Sequence, residues 1–277
     1  MTTFLAYTSP AAGHAFPLVP GLLELQDRVH EIHMRTDPSL VAGLRRAGVR
    51  AAGVDPRIKE IRPGAHRPGP DGLRSAYRAL LARAPFERPD LEAAVAETGA
   101  DVLLTDVLAY GAGLAAEATG LPWALTVPSL LPLPGKGIPP YGLGLPPARG
   151  PIGAVRDRLG WRLVERAYSK ALLPGLNDLR RQAGLPELAS PLDQFGLPSL
   201  VLGLSGPPLE YPRTDLPPNV SVVGACPWHP PPSSLERPPC LDEEGDPWVL
   251  VTCSTDYQGE SDSRPRRWRP FVTNPFE

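Results

Sequence analysis

The chain has 277 residues, with 28 Lys plus Arg against 30 Asp plus Glu and a formal net charge of −2. That balance argues against a nucleic-acid or membrane-surface protein, which would hold phosphates with a basic field. The hydrophobic content of 42% can fill one large or two modest cores. Proline is the unusual component: 38 Pro and 27 Gly approach the level at which disorder sets in, so Pro-rich loops are expected. Cys226, Cys240 and Cys253 have no zinc-site spacing, which points to a reducing cytoplasm and to no metal. The N-terminus MTTFLAYTSP lacks the basic region of a signal peptide, and no run of about 20 apolar residues is present.

Short apolar runs alternate with helical patterns along the chain. Residues 3–7 read as a buried strand, and 17–26 as a helix with Leu18, Leu22 and Leu25 on one face and Pro17 and Pro20 in its first turn. Residues 31–35 form a second strand; Asp37 is the expected N-cap of the next helix, with Pro38 first inside it and Gly48 its stop. Strands are expected at 49–54, 102–105, 123–127, 200–204 and 220–223. Helices are expected at 73–84, 91–97, 113–118 and 154–183, the last broken near Pro174. Such alternation specifies a parallel sheet covered on both faces, a doubly wound, Rossmann-like α/β fold. The segments 56–72 and 128–153 are too long for mere connections and read as binding loops. A Pro-rich linker follows from 225 to 247, and 248–252 reads as the first strand of a second domain. Only 30 residues remain beyond Pro247, fewer than the ~40 an independent fold needs, so that domain is expected to be truncated.

The loop Ser9 to Pro17 follows the first strand at the carboxyl end of the sheet, where open α/β folds bind ligands. Gly13 is its sole glycine, so it is not the GxGxxG fingerprint of a dinucleotide site. His14 lies at a helix N-terminus, where the positive potential disfavours imidazolium and suits the ring to act as a general base. Asp106 follows the fourth strand at the same sheet edge, where a carboxylate facing His14 would fix its tautomer. Alone, His14 reads equally as a cap or loop residue, and Asp106 as an N-cap. His30, His33, His66 and His229 and the Arg264 to Arg269 cluster carry little signal.

The run SPAAGHAFPLVPGLLELQDRVHEIH at 9–33 resembles the opening of the family 1 glycosyltransferases, especially the bacterial enzymes that glycosylate macrolides and other natural products. The blocks GADVLLTDVLAYGAGLAAEATGLPWALTVPSLLPLP at 99–134, NDLRRQAGLP at 177–186 and EYPRTDLPPNVSVVGACPWHP at 210–230 extend the resemblance across about 3–257. It implies the N-terminal, acceptor-binding half (1–224) of a two-Rossmann-domain (GT-B) enzyme, whose second half binds a nucleotide-diphosphate sugar. His14 falls on the family's catalytic base and Asp106 on its supporting acid, for sugar transfer to a hydroxyl of a small hydrophobic acceptor with inversion and without a metal or other cofactor. Phe16, Leu130, Leu131 and Tyr141 are the implied acceptor-pocket residues, and Gly13 and Ser254 the implied donor contacts. The chain departs from the pattern in three places. Val29 stands where the family has Gly, and strain is expected there. Cys253-Ser254 replaces Gly-Ser, and the His-Gly-Gly and acidic-Gln donor motifs have no counterpart. Weak or absent donor binding is the expectation, and a helper that binds acceptor or pairs with another glycosyltransferase is the alternative.

Overall fold

The computed structural model describes residues 1–61 and 69–231. Ser254, Cys240, Cys253, His66, the 248–252 strand, the Arg264 to Arg269 cluster and most of the linker lie outside the described residues.

Seven parallel strands form one sheet: β1 (Thr3–Tyr7), β2 (Glu31–Thr36), β3 (Arg50–Gly53), β4 (Val102–Asp106), β5 (Trp123–Val127), β6 (Leu200–Gly203) and β7 (Val220–Val222). Their order is β3-β2-β1-β4-β5-β6-β7. The chain winds outward from β1 in one direction and from β4 in the other, so the topological switch lies between β1 and β4, where Tyr7 is paired with Thr105. Each strand expected within the described residues is present, within two residues at its ends.

Side chains alternate across the strands and divide the core in two. Leu5, Tyr7, Leu103, Leu125 and Val201 pack on one face against Leu91, Ala94, Ala112 and Ala115. Ala6, Ile32, Met34, Leu104 and Ala124 pack on the other against Leu18, Val19, Leu22 and Leu44. The helices that cover these faces are α1 (Ala12–Ala15), running through a 3₁₀ turn into α2 (Val19–Asp27), then α3 (Val41–Arg46), α4 (Pro56–Glu60), α5 (Pro70–Thr98), α6 (Tyr110–Thr119) and α7 (Gly150–Gln182).

Three helical expectations are corrected. The separate helices at 73–84 and 91–97 are one helix, α5, which continues through Pro85 and Pro89. The break expected near Pro174 is likewise absent from α7. An internal proline costs a helix ~3 kcal/mol, and here packing offsets it. On α5, Leu80, Ala84, Leu91 and Ala94 are buried, and a Cβ on Gly111 of α6 would stand 2.5 Å from the Ala84 carbonyl oxygen. Around Pro174, Leu172 and Leu176 are buried, and a Cβ on Gly175 would stand 2.8 Å from Leu81 Cδ1. Asp37 does not cap α3. Its carboxylate accepts from Ser39 N, Ser39 Oγ and Lys59 Nζ and closes the preceding turn, and α3 begins at Val41 with Leu40 as its uncapped N-cap. The loops at 56–72 and 128–153 are shorter than expected, because α4, α5 and α7 each take part of them.

Val29 is the one described non-glycine residue at positive φ, 65°. The Val29 N–H donates to the Gln26 carbonyl and the His30 N–H to the Leu25 carbonyl, the paired bonds of a Schellman stop. Gly48 after α3 and Gly184 after α7 hold the same position with the same pair of bonds, at φ 92° and 73°. A β-branched residue held there costs about 1–2 kcal/mol, and the Val29 side chain, 74% exposed, recovers little of it by packing. Val29→Gly is expected to raise unfolding stability in urea by roughly 1 kcal/mol; unchanged or lower stability would contradict the strain.

Candidate functional site

β1 and β4 end side by side at the switch point; Asp106 is the last residue of β4, and His14 lies in α1 just beyond β1. His14 Nδ1 lies 2.7 Å from Asp106 Oδ2. Asp106 Oδ1 accepts from Ser9 Oγ at 2.8 Å and from the Leu108 N–H at 2.9 Å. A carboxylate only accepts, so the His14 contact is a donation from Nδ1–H, which places the other proton-accepting site of the ring on Nε2. Asp106 is 1% exposed, whereas the His14 side chain is 19% exposed. The acid is therefore shielded by the ring that it orients. Asp106 is not the N-cap of α6, which is Ala109 without a side-chain cap; the Leu108 N–H bond instead closes the turn between β4 and that helix.

Beneath this pair, Glu87 of α5 accepts from the Gly111 N–H at the start of α6, at 2.8 Å. Its other oxygen, Oε1, is buried with no hydrogen-bond partner among the described residues. Burial pushes the Glu87 carboxyl up to about 8, against the lowering effect of the Gly111 N–H and of Arg83, while the nearby Asp106 charge pushes it further up.

A wall of aromatic rings begins one residue beyond Asp106. Val107 and Leu108, with Tyr77, Tyr110, Tyr141, Trp161, Tyr168 and Phe195, line a cavity of about 110 Å³ at the carboxyl ends of β4 and β5. Tyr77 packs edge-on to Tyr110 and to Tyr168, at 6.3 and 5.7 Å between ring centroids. Burial raises all three phenols above their ordinary value, so they remain neutral hydroxyls. A second cavity of about 580 Å³, which shares Tyr141 and Trp161, is lined by Leu130, Leu131, Ile138, Pro139, Pro140 and Arg213 among others. Its loop is pinned from β6's far side. Glu210 accepts from the Leu131 N–H, and Arg213 donates to the Leu131 and Leu133 carbonyls.

Of the four expected pocket residues, Leu130, Leu131 and Tyr141 therefore line this second cavity, although Leu131 is also core, at 1% exposure. Phe16 lines neither cavity; its ring meets Trp228 edge-on at 5.2 Å. Cys226 and Trp228 pack on the second core cluster and Pro230 lies against Gly43, so 225–231 belongs to the fold. Gly13 sits beside His14 in α1. The sequence reading missed Ser9, which looked like a loop serine, and the ring set Tyr77, Trp161 and Tyr168, whose helical spacing is that of ordinary core. Among the described residues no group of three His, Cys, Asp or Glu side chains could hold a metal ion, and no helix is long and apolar enough to cross a membrane.

No family model matches the chain. It is 32% identical over 231 residues to 4'-demethylrebeccamycin synthase of Lentzea aerocolonigenes, covering 79% of this chain and 55% of that protein. It is 27% identical over 248 residues to zeaxanthin glucosyltransferase of Pseudescherichia vulneris, covering 86% of this chain and 57% of that one. Among solved structures, the glycosyltransferase of kitacinnamycin aligns with a TM-score of 0.56 at 20% identity, covering 86% of this chain and 55% of that one. The calicheamicin glycosyltransferase CalG4 aligns with a TM-score of 0.56 at 16% identity, covering 84% and 56%. These two share the fold, that of one half of a GT-B enzyme. Over the matched stretch the chain is similar to these natural-product glycosyltransferases. It spans about half the length of the curated relatives it matches.

The Glu87 carboxyl gives this region a pH signature. An acid raised in the folded state contributes its full stability below its ordinary value of 4.5 and loses it as pH rises through about 8. Glu87→Gln, which mimics the neutral acid, is expected to flatten the fall in melting temperature across that window. An unchanged pH slope would contradict a buried neutral Glu87.

Proposed function

We propose that this chain is the acceptor-binding half of an inverting glycosyltransferase, and that His14 is its general base. The observation that carries the reading is the 2.7 Å contact between His14 Nδ1 and a buried Asp106 at the switch point of the sheet. In the proposed reaction His14 Nε2 takes the proton of an acceptor hydroxyl while the oxygen forms a bond to the anomeric carbon of a nucleotide-diphosphate sugar. The bond from that carbon to the diphosphate breaks on the opposite face, and the electron pair leaves with the nucleotide. Asp106 holds the ring in the required tautomer and stabilises the imidazolium that forms. The leaving diphosphate carries charge that the donor half would neutralise, with Gly13 and Ser254 as contacts from this chain, so the reaction calls for neither a metal nor a redox cofactor.

The acceptor proposed is small, hydrophobic and hydroxylated. Support comes from the walls of the two cavities, Tyr77, Tyr110, Tyr141, Trp161, Leu130 and Leu131, which combine apolar rings with neutral hydroxyls. A cytoplasmic site, where nucleotide sugars are made, fits the odd number of cysteines, three. A second reading is a helper that binds acceptor in the same two cavities and works beside another glycosyltransferase.

Two assays separate the readings. Quenching of Trp161 fluorescence by hydroxylated aromatic acceptors should report binding to the chain alone, and Tyr141→Ala should weaken it by about tenfold, the value of one lost aromatic contact. Transfer measured in a chimera carrying the donor half of a curated relative should fall roughly 10²- to 10⁴-fold in His14→Ala, with acceptor binding preserved. Acceptor binding without transfer in any chimera would favour the helper, and unimpaired transfer by His14→Ala would remove the base from the mechanism.

A further inference from the structure

The first half of α7 has two unlike faces. Inward, Val164 is buried, the Trp161 indole N–H donates to the Ile138 carbonyl at 3.0 Å, and a Cβ on Gly160 would stand 2.5 Å from Pro140. Outward, Ile152, Val155, Leu159 and Leu163 are 86%, 59%, 57% and 62% exposed. At 100° per residue these four fall within an arc of about 80°, a continuous aliphatic stripe over three turns. Arg158, Arg162, Arg166 and Lys170 are exposed along and beyond it. Neither acid of 150–170 offsets them on that surface: Asp157 is buried against Arg156, and Glu165 accepts from Ser190 Oγ. The balanced net charge of the whole chain conceals this local asymmetry.

We infer that this face of α7 docks on an anionic phospholipid surface, with the aliphatic stripe inserted among the headgroups and the basic side chains against the lipid phosphates. Charge complementarity selects that occupant. In a second copy of the chain, antiparallel pairing of the stripes would bring Arg158 and Arg162 against the same residues of the partner with no exposed acid between them. A protein partner would have to build its interface on a single aliphatic row, well short of the ~800 Å² each side of a stable complex supplies, and without a Tyr or Trp anchor on the stripe. A helix lying in the headgroup region needs only a narrow apolar row beside clustered basic residues. On the acceptor-pocket reading above, docking would set the cavity behind Trp161 close to a phase in which hydrophobic acceptors concentrate. The docking itself does not depend on that reading.

The test is flotation of the 277-residue protein with vesicles of phosphatidylcholine alone and of phosphatidylcholine with phosphatidylglycerol, in which no sugar transfer is measured. Binding is expected to the anionic vesicles, at least about tenfold weaker to the neutral ones and reduced by high salt. Arg158→Glu with Arg162→Glu, and separately Leu159→Ser with Leu163→Ser, should each lower the partition by about tenfold or more. All four positions are exposed, and an unchanged melting temperature will show that the variants fold. Absence of anionic vesicle binding, or binding indifferent to both variants, would overturn the proposal. So would a dimer that the leucine variant dissolves, or stripe-dependent binding of an acidic amphipathic peptide by a protein that ignores vesicles.

Discussion

The constraint on which the rest of the structure depends is the burial of one carboxylate at the point where the sheet changes winding direction. Asp106 is 1% exposed at the end of β4, and a charge so placed is tolerable only when its oxygens are satisfied. Three donors satisfy them: Ser9 Oγ and His14 Nδ1 from the β1 loop, and the Leu108 N–H from its own turn. The same bonds that settle the carboxylate therefore tie the β1 loop to the β4 turn and aim an imidazole out of the switch-point crevice. Stability and the proposed chemistry share those three contacts. The N-cap reading of Asp106 gives way here, because α6 is capped by Ala109 and the carboxylate serves the turn before it.

Around that point the aromatic wall follows from two long helices that the sequence divides and the structure does not. Tyr77 on α5 and Trp161 and Tyr168 on α7 reach one cavity, and both helices run unbroken past their prolines. Each accepts the loss of a backbone hydrogen bond in exchange for close packing at Gly111 and Gly175, positions where a Cβ would collide with the neighbouring helix. α7 then does two different things at one level of the chain, closing the cavity with Trp161 inward and presenting Leu159 and Leu163 outward.

Much of this was legible in the sequence, for identifiable reasons. The strands are short, apolar and bounded by Gly, Pro or Asp, so period and punctuation agree, and 3–7 and 123–127 come out with the observed bounds. The pairing of His14 with Asp106 was legible because both follow strands at the same sheet edge, and parallel strands bring their carboxyl ends together. Val29 was legible as a strained stop because the residue conflicts with the conformation that its position demands. What failed were readings in which a local rule met a tertiary one. Proline breaks isolated helices, and tertiary packing carried α5 and α7 through it. Aspartate before proline is a common N-cap, and Lys59 and Ser39 claimed Asp37 for a turn. The ring of Phe16, an implied acceptor contact, turns to Trp228.

The central claim is that Asp106 fixes His14 as the tautomer able to accept a proton at Nε2, and long-range ¹H–¹⁵N correlation spectra of the imidazole ring test it most directly. The account predicts that His14 in the neutral protein carries its proton on Nδ1 with an unprotonated, pyridine-like Nε2, and that Asp106→Asn shifts the ring toward the other tautomer or a mixture of the two. A proton on Nε2 in the wild-type chain, or a tautomer unmoved by Asp106→Asn, would contradict it.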